Sequence, residues 1–322
     1  MNARRLRPLL GYAVAAACLV WVFHGVRLGE ILPRVAGMRW GWVALAIGCD
    51  VASYLCQGVR WTLLLRPTGR LPVWRTTQAI YAGLFTNEIV PLRAGELVRA
   101  YLVSRWIGRD VFSIVPSMAV ERLCDGVWTA IAVGATALLV TLPRDLLHGE
   151  EVLGIAVLAG TALFAYLALR ARPEPRGRLG RLFGRFAEGL RTIGLSRGLG
   201  LAFLASAGIL LFEILAFWLV LRAYGIPLSL WAGAAVLLIV HLGTALPNAP
   251  SNLGTYQLFT VVGLSLFRID KTLATGFSLV VFVLLTVPLW AIGLVAIGRS
   301  GMTLGAIRRE IARLPRPGLR GS

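Results

Sequence analysis

Of the 15 acidic residues in the chain, five fall between positions 88 and 125: Glu88, Glu96, Asp110, Glu121 and Asp125. Arg93, Arg99, Arg105, Arg109 and Arg122 share that stretch. Glu96 and Arg99 are three apart and can pair on one helical face. Glu121 and Asp125 are four apart, so two carboxylates share a face; side by side they repel and, once buried, demand a cation. Arg93 or Arg99 is the candidate counter-ion. A guanidinium offers phosphate a fork of donors, and acidic neighbours hold that fork in place. For Arg105, Arg109 and Asp110 the simpler reading is a solvated loop. Arg93, Glu96, Glu121 and Asp125 adjoin apolar sequence, where an ion at membrane depth costs roughly 2.5–3.5 kcal/mol or more. With Asn87, Arg99 and Arg122 they are the candidates for a headgroup path.

Further polar residues interrupt apolar runs elsewhere. Asp50 and Gln57 are seven apart on one face, and Arg60, near the end of the same run, is expected to snorkel to the interface. Glu213 stands mid-run and is expected to face the bundle. His241 is more often structural than functional when it stands alone, and is a secondary candidate with Asp50 and Glu213. Asn248, Ser251, Asn252, Tyr256 and Gln257 surround a second polar break, where they either cap broken helix ends or touch substrate; Asn252 and Gln257 join the path candidates. H-E-x-x-H and G-x-S-x-G are missing and three His are too few for a metal centre, so neither metal nor cofactor is expected. Without G-x-x-x-x-G-K-[ST], movement by this chain must run downhill, couple to an ion or use a partner.

The elements that must position these groups are helices in a bilayer. The chain is 57% hydrophobic and 15% charged, with a mean hydropathy of +0.75. Six runs long enough to span lie near 9–24, 41–65, 113–142, 152–170, 199–221 and 272–298. The first follows MNARRLRP and leads into FHGVRLGE without a small-x-small cleavage site, so it reads as an uncleaved helix. Trp40, Trp42, Trp61 and Trp74 bracket the second and read as interfacial anchors. Cys18, Cys49, Cys56 and Cys124 fall in apolar runs and read as inert thiols. The net charge of +18 is concentrated beside the spans, the pattern of a cytoplasmic membrane face and not of nucleic-acid binding.

Charge sets the orientation. The N-terminus, the segment 170–197 with eight Arg, and the tail 299–322 should be cytoplasmic, and RDLLHGEE (144–151) outside. Arg27, Arg34 and Arg39 fit poorly, since this path puts them outside. Leu182, Phe183, Phe186 and Leu190 recur at helical spacing, suggesting an amphipathic helix on the inner leaflet. Counting crossings leaves 76–106 starting and ending inside and 229–267 starting and ending outside. Both should be re-entrant hairpins, broken at Pro91-Leu-Arg-Ala-Gly95 and Pro250-Ser-Asn-Leu-Gly254, an offset of 159 residues. Pro stops a helix and Gly permits the reversal. Matching breaks in oppositely oriented halves point to a transporter-like site near the midplane. The expected fold is an all-α polytopic membrane protein: six full spans and two hairpins in an inverted repeat, with halves 1–142 and 143–298.

Asn87…Pro91-Leu-Arg93-Ala-Gly95-Glu96…Arg99, then Glu121-Arg122…Asp125, then Pro250…Gly254 make the chain resemble the lysylphosphatidylglycerol synthase transmembrane-region family over roughly residues 10 to 300. The resemblance implies an inner-membrane protein that moves lipid between leaflets. Gln257 stands where the family often has Glu, which puts a lysyl-lipid substrate in doubt. The chain ends at Ser322 without room for a synthase domain, so lipid aminoacylation is not expected. The reading is a flippase- or scramblase-like translocase of phospholipid or a related polar lipid. The alternatives are an intramembrane lipid-modifying enzyme and an accessory subunit of an envelope-lipid pathway. Membrane lipids are the expected partners, with a lipid-synthesis enzyme or a second copy of the chain as further candidates.

Overall fold

The computed structural model describes residues 3–89, 94–139, 177–194, 196–244 and 250–301, together with Ala159, Ala162 and Tyr166. Among the described residues every regular element is helical. In chain order these are α1 (Ala3–Phe23), α2 (Ile31–Ala36), α3 (Trp40–Leu65), α4 (Val73–Ile89), α5 (Gly95–Ile107), α6 (Val115–Leu139), α7 (Gly177–Gly194), α8 (Gly198–Ala223), α9 (Leu230–Thr244), α10 (Thr255–Ser265) and α11 (Lys271–Arg299). Among the described residues four stretches are long and apolar enough to cross a membrane: Trp40–Leu65, Val111–Leu139, Gly198–Ala223 and Lys271–Arg299. They occupy four of the expected spans. The span expected near 9–24 ends in the apolar part of α1, and nearly all of 152–170 lies outside the described residues.

Helices α3 and α8 make the most extensive pairing in the bundle. Around them α4 packs on α5 and α9 on α10, so both broken stretches fold back on themselves as helical hairpins. The first hairpin leans on α11 through α4, and the second leans on α6 through α9. Small residues permit these close approaches, as expected where lipid supplies no hydrophobic drive between helices. A Cβ on Gly95 would stand 1.8 Å from the Gly83 carbonyl oxygen, so α4 and α5 meet backbone to backbone.

Two of the apolar cores engage opposite ends of α3. One core gathers Val43 and Ala46 of α3, Phe217, Val220 and Leu221 of α8, and Phe277 and Val281 of α11. Another joins Trp61 and Leu65 of α3 to Ala79–Ala82 of α4, Val98–Val103 of α5, and Ala296 and Ile297 of α11. Helix α3 carries Asp50, Ser53, Gln57 and Arg60 between its two core segments, and α8 carries Ser206 and Glu213 before its own. A polar belt therefore lies between the cores, and it is this belt that holds the site.

Two expectations change. Arg60 does not snorkel: it is 3% exposed, because two carboxylates of α6 hold it inside. Trp61 is not an interfacial anchor but is buried, its Nε1 donating to Ser117 Oγ at 3.0 Å, whereas Trp40 and Trp74 are exposed. On the amphipathic helix α7, Leu190 of the expected stripe packs with Ala187 and Ile193 against Leu63, Leu64, Val120 and Ala202, with Phe186 beside them, and the side chains of Leu182 and Phe183 lie outside the described residues. Lys271 serves structure, its Nζ donating to the carbonyls of Trp21 and His24 at the end of α1.

Candidate functional site: an ionic ring beside two adjoining cavities

Three helices contribute six ions that close into a ring. Arg60 of α3 donates from Nη1 to Asp125 Oδ1, and from Nη2 to Glu121 Oε1 at 3.4 Å. Arg99 of α5 places Nη2 2.9 Å from Glu121 Oε2 and 2.8 Å from Glu96 Oε2. Glu96 Oε1 accepts from Arg122 Nη2, and Arg122 Nη1 lies 3.6 Å from Asp125 Oδ2. Each carboxylate thus meets two guanidiniums and each guanidinium meets two carboxylates, so the formal charges cancel. Helical spacing makes this possible: Glu96 and Arg99 share a face of α5, and Glu121, Arg122 and Asp125 follow one turn of α6.

The ring is unevenly wetted. The side chains of Arg60, Arg99 and Glu121 are nearly closed off, whereas that of Arg122 is 58% exposed. An incoming anion therefore meets Arg122 before the buried arginines. Trp61 supports the ring from beneath, with the Arg99 guanidinium 4.8 Å over its face. Ser206 Oγ accepts a further bond from Arg60 at 3.1 Å. The Nε atoms of Arg60 and Arg99 are buried and donate to no partner among the described residues.

The ring borders a cavity of about 330 Å³, also lined by Gln57, Asn87, Trp128, Thr129, Ser206 and Glu213. A second cavity of about 230 Å³ is lined by Asp50, Glu88, Ser251, Asn252, Tyr256 and Thr286, among others. Tyr54, Leu84, Glu213 and His241 line both, so one partition separates them. On that partition Glu213 Oε2 lies 4.0 Å from His241 Nε2.

Each hairpin break is closed by a side-chain amide. Gly95 N–H donates to Asn87 Oδ1 at 2.7 Å, and Gly254 N–H donates to Gln257 Oε1 at 2.7 Å. The second turn requires glycine, since Gly254 has φ +86° and a Cβ there would stand 2.5 Å from the Ala15 carbonyl oxygen. Ser251 and Asn252 also adopt left-handed backbone, at φ 60° and 51°. The tips meet where Ser251 Oγ donates to the Glu88 carbonyl at 3.3 Å.

The structure brings Glu96, Arg99, Glu121, Arg122 and Asp125 together in the ring, with Asn87 and Gly95 on the wall of the same cavity. It places Asn252 and Asp50 on the second cavity, and Glu213 and His241 on the partition. Gln257 is fully buried, lines neither cavity and serves the Gly254 turn. Pro250 opens the short 3₁₀ turn before Gly254. Pro91 and Arg93 lie outside the described residues, so of the two candidate counter-ions it is Arg99 that is seen on Glu121. Sequence reasoning missed Arg60, although two carboxylates on one face of α6 called for more than one cation. Asp50, Gln57 and Arg60 all punctuate one apolar helix, and that was the available signal.

Comparison with known proteins places this architecture. The chain is similar to a UPF0104 membrane protein of Methanothermobacter thermautotrophicus, 22% identical over 293 residues that cover 84% of this chain and 86% of that relative. The family described as the lysylphosphatidylglycerol synthase TM region matches residues 9–293, spanning both hairpins and the whole ring. The chain is thus a multi-pass membrane protein that belongs to the lysylphosphatidylglycerol synthase TM region family.

Proposed function

We propose that the protein moves lipids with a phosphate-bearing headgroup between the leaflets of the cell membrane. The observation that carries this reading is the ionic ring on the first of two adjoining polar cavities, enclosed between apolar cores. A phosphate cannot cross hydrocarbon cheaply, because its charge must leave water. The ring offers an alternative to water. A phosphate arriving at Arg122 can take the place of Asp125 or Glu96, gaining a guanidinium fork while the displaced carboxylate keeps its second arginine. The acyl chains stay in lipid while the headgroup passes Glu213 and His241 towards the second cavity.

In this reading the hairpins are re-entrant, the first from the cytoplasmic face and the second from the outer face, in two inverted halves. Both termini are cytoplasmic, following the arginine-rich segments. The protein acts by carriage and not by bond making: the ring carboxylates, each committed to two guanidiniums, are poorly placed as general bases.

The test is purified protein in vesicles with a fluorescent phospholipid and a membrane-impermeant quencher. The wild type should make inner-leaflet lipid accessible, and Arg60→Ala or Arg99→Ala should abolish the gain. Wild-type vesicles that match empty ones with and without ionic gradients would remove the reading.

A further inference from the structure

The second cavity differs in charge from the first. Its lining includes Asp50, Glu88 and Glu213, with His241 and no arginine or lysine among the described residues. Asp50 is 7% exposed, faces this cavity, and has no hydrogen-bond or ion-pair partner among the described residues. A carboxylate without a counter-ion inside a membrane protein must be neutralised by a bound positive charge. The ring cannot supply it, since each of its guanidiniums already holds two carboxylates.

The partition offers a route to the same water. Glu213 and His241 line both cavities and stand 4.0 Å apart, so a proton taken up in one cavity has a path to the other. Electrostatics makes that proton necessary. An anionic headgroup leaving the ring for the second cavity confronts carboxylates with no intervening cation among the described residues, and like charges at close range repel. The groups within reach of Asp50 and Glu213 offer little relief. They are Cys49 and Tyr54 on α3, Tyr81 and Glu88 on α4, His241 on α9 and Tyr256 on α10, with Asp125 and Arg60 across the partition beside Glu213.

We infer that Asp50 and Glu213, with His241 between the cavities, bind a proton that travels with an anionic lipid headgroup. The proton comes from outer water onto a carboxylate oxygen of Asp50 or Glu213, cancels the charge facing the phosphate, and leaves to inner water when the headgroup departs. Acid outside therefore drives the anionic lipid inward. This rests on the translocase reading above and adds the coupling ion.

The test uses the whole protein in vesicles with a fluorescent phosphatidylglycerol analogue and a trapped pH dye. Exchange at equal pH reports the translocase reading alone. With the outside more acidic by one unit, the wild type should enrich the inner leaflet about tenfold for one proton per headgroup, with matching proton uptake. In Asp50→Asn and Glu213→Gln that enrichment should fall to about onefold. Wild-type exchange that ignores the gradient overturns the inference and leaves the translocase standing. An equal gradient effect on a zwitterionic analogue also overturns it, and vesicles without any exchange remove both readings. An infrared carboxylic-acid band that titrates in solubilised wild type and is missing from folded Asp50→Asn or from folded Glu213→Gln reads the proton directly. A band unchanged by both substitutions overturns the assignment.

Discussion

In the first hairpin the amide that closes the break comes from the helix before it, Asn87, and reaches across to Gly95; in the second it comes from the helix after, Gln257, and reaches back to Gly254. Both amide oxygens satisfy a glycine N–H that has left its helix, as a backbone donor shielded from water requires. Beyond that shared device the hairpins diverge. The first carries Glu96 and Arg99 into an ionic ring, whereas the described turn of the second carries Ser251, Asn252 and Gly254 and no ion. Closing a break and presenting charge are therefore separate tasks. On the proposed function, charge recognition belongs to the first hairpin, while the second shapes a chamber whose carboxylates come from α3, α4 and α8.

The largest effect expected from breaking this contrast is on the ring. Arg99→Ala leaves buried Glu121 and half-buried Glu96 short of a cation, costing about 3–5 kcal/mol. In thermal unfolding followed by aromatic fluorescence in detergent, its midpoint should fall far below that of Asn252→Ala. Glu121→Gln in the Arg99→Ala background should recover part of the loss, a coupling that a double-mutant cycle reads.

Gly95→Ala should come next, at the upper end of about 1–3 kcal/mol, because the added methyl meets the Gly83 carbonyl and not a yielding side chain. Gly254→Ala should cost a similar amount for a different reason, left-handed backbone as well as contact with Ala15.

The smallest effect should follow removal of the closing amides. Asn87→Ala and Gln257→Ala each strand one glycine N–H, at about 1–2 kcal/mol. Gln257→Ala should cost more of the two, since it also leaves a void where a fully buried side chain stood. Lipid exchange should separate them as well: Asn87 borders the first cavity and Gln257 borders neither, so at equal folded protein only Asn87→Ala should alter the rate.

Periodicity and charge made the helices and the hairpins legible, because a run of apolar residues in lipid has few structural options. The P-x-x-x-G recurrence located both breaks, and the spacing of Glu121 and Asp125 located the ring on α6. Partner identity was not legible. Arg60 looked like a residue at the end of an apolar run, and only the packing of α3 against α6 and α8 shows that it points inward. Trp61 misled for the same reason, since a Trp near a helix end is equally an anchor for lipid or a floor for Arg99. Helix α7 declared its apolar face but not what that face covers.

The path of the headgroup is the central claim, and a phospholipid bearing a photoactivatable group beside its phosphate tests it most directly. Cross-linked in vesicles and mapped by mass spectrometry, it should mark the segments of α3 and α6 that hold Gln57 and Thr129, and Arg99→Ala should erase those adducts. Adducts confined to outward residues such as Val287 and Leu294 of α11, unchanged by Arg99→Ala, would contradict the account.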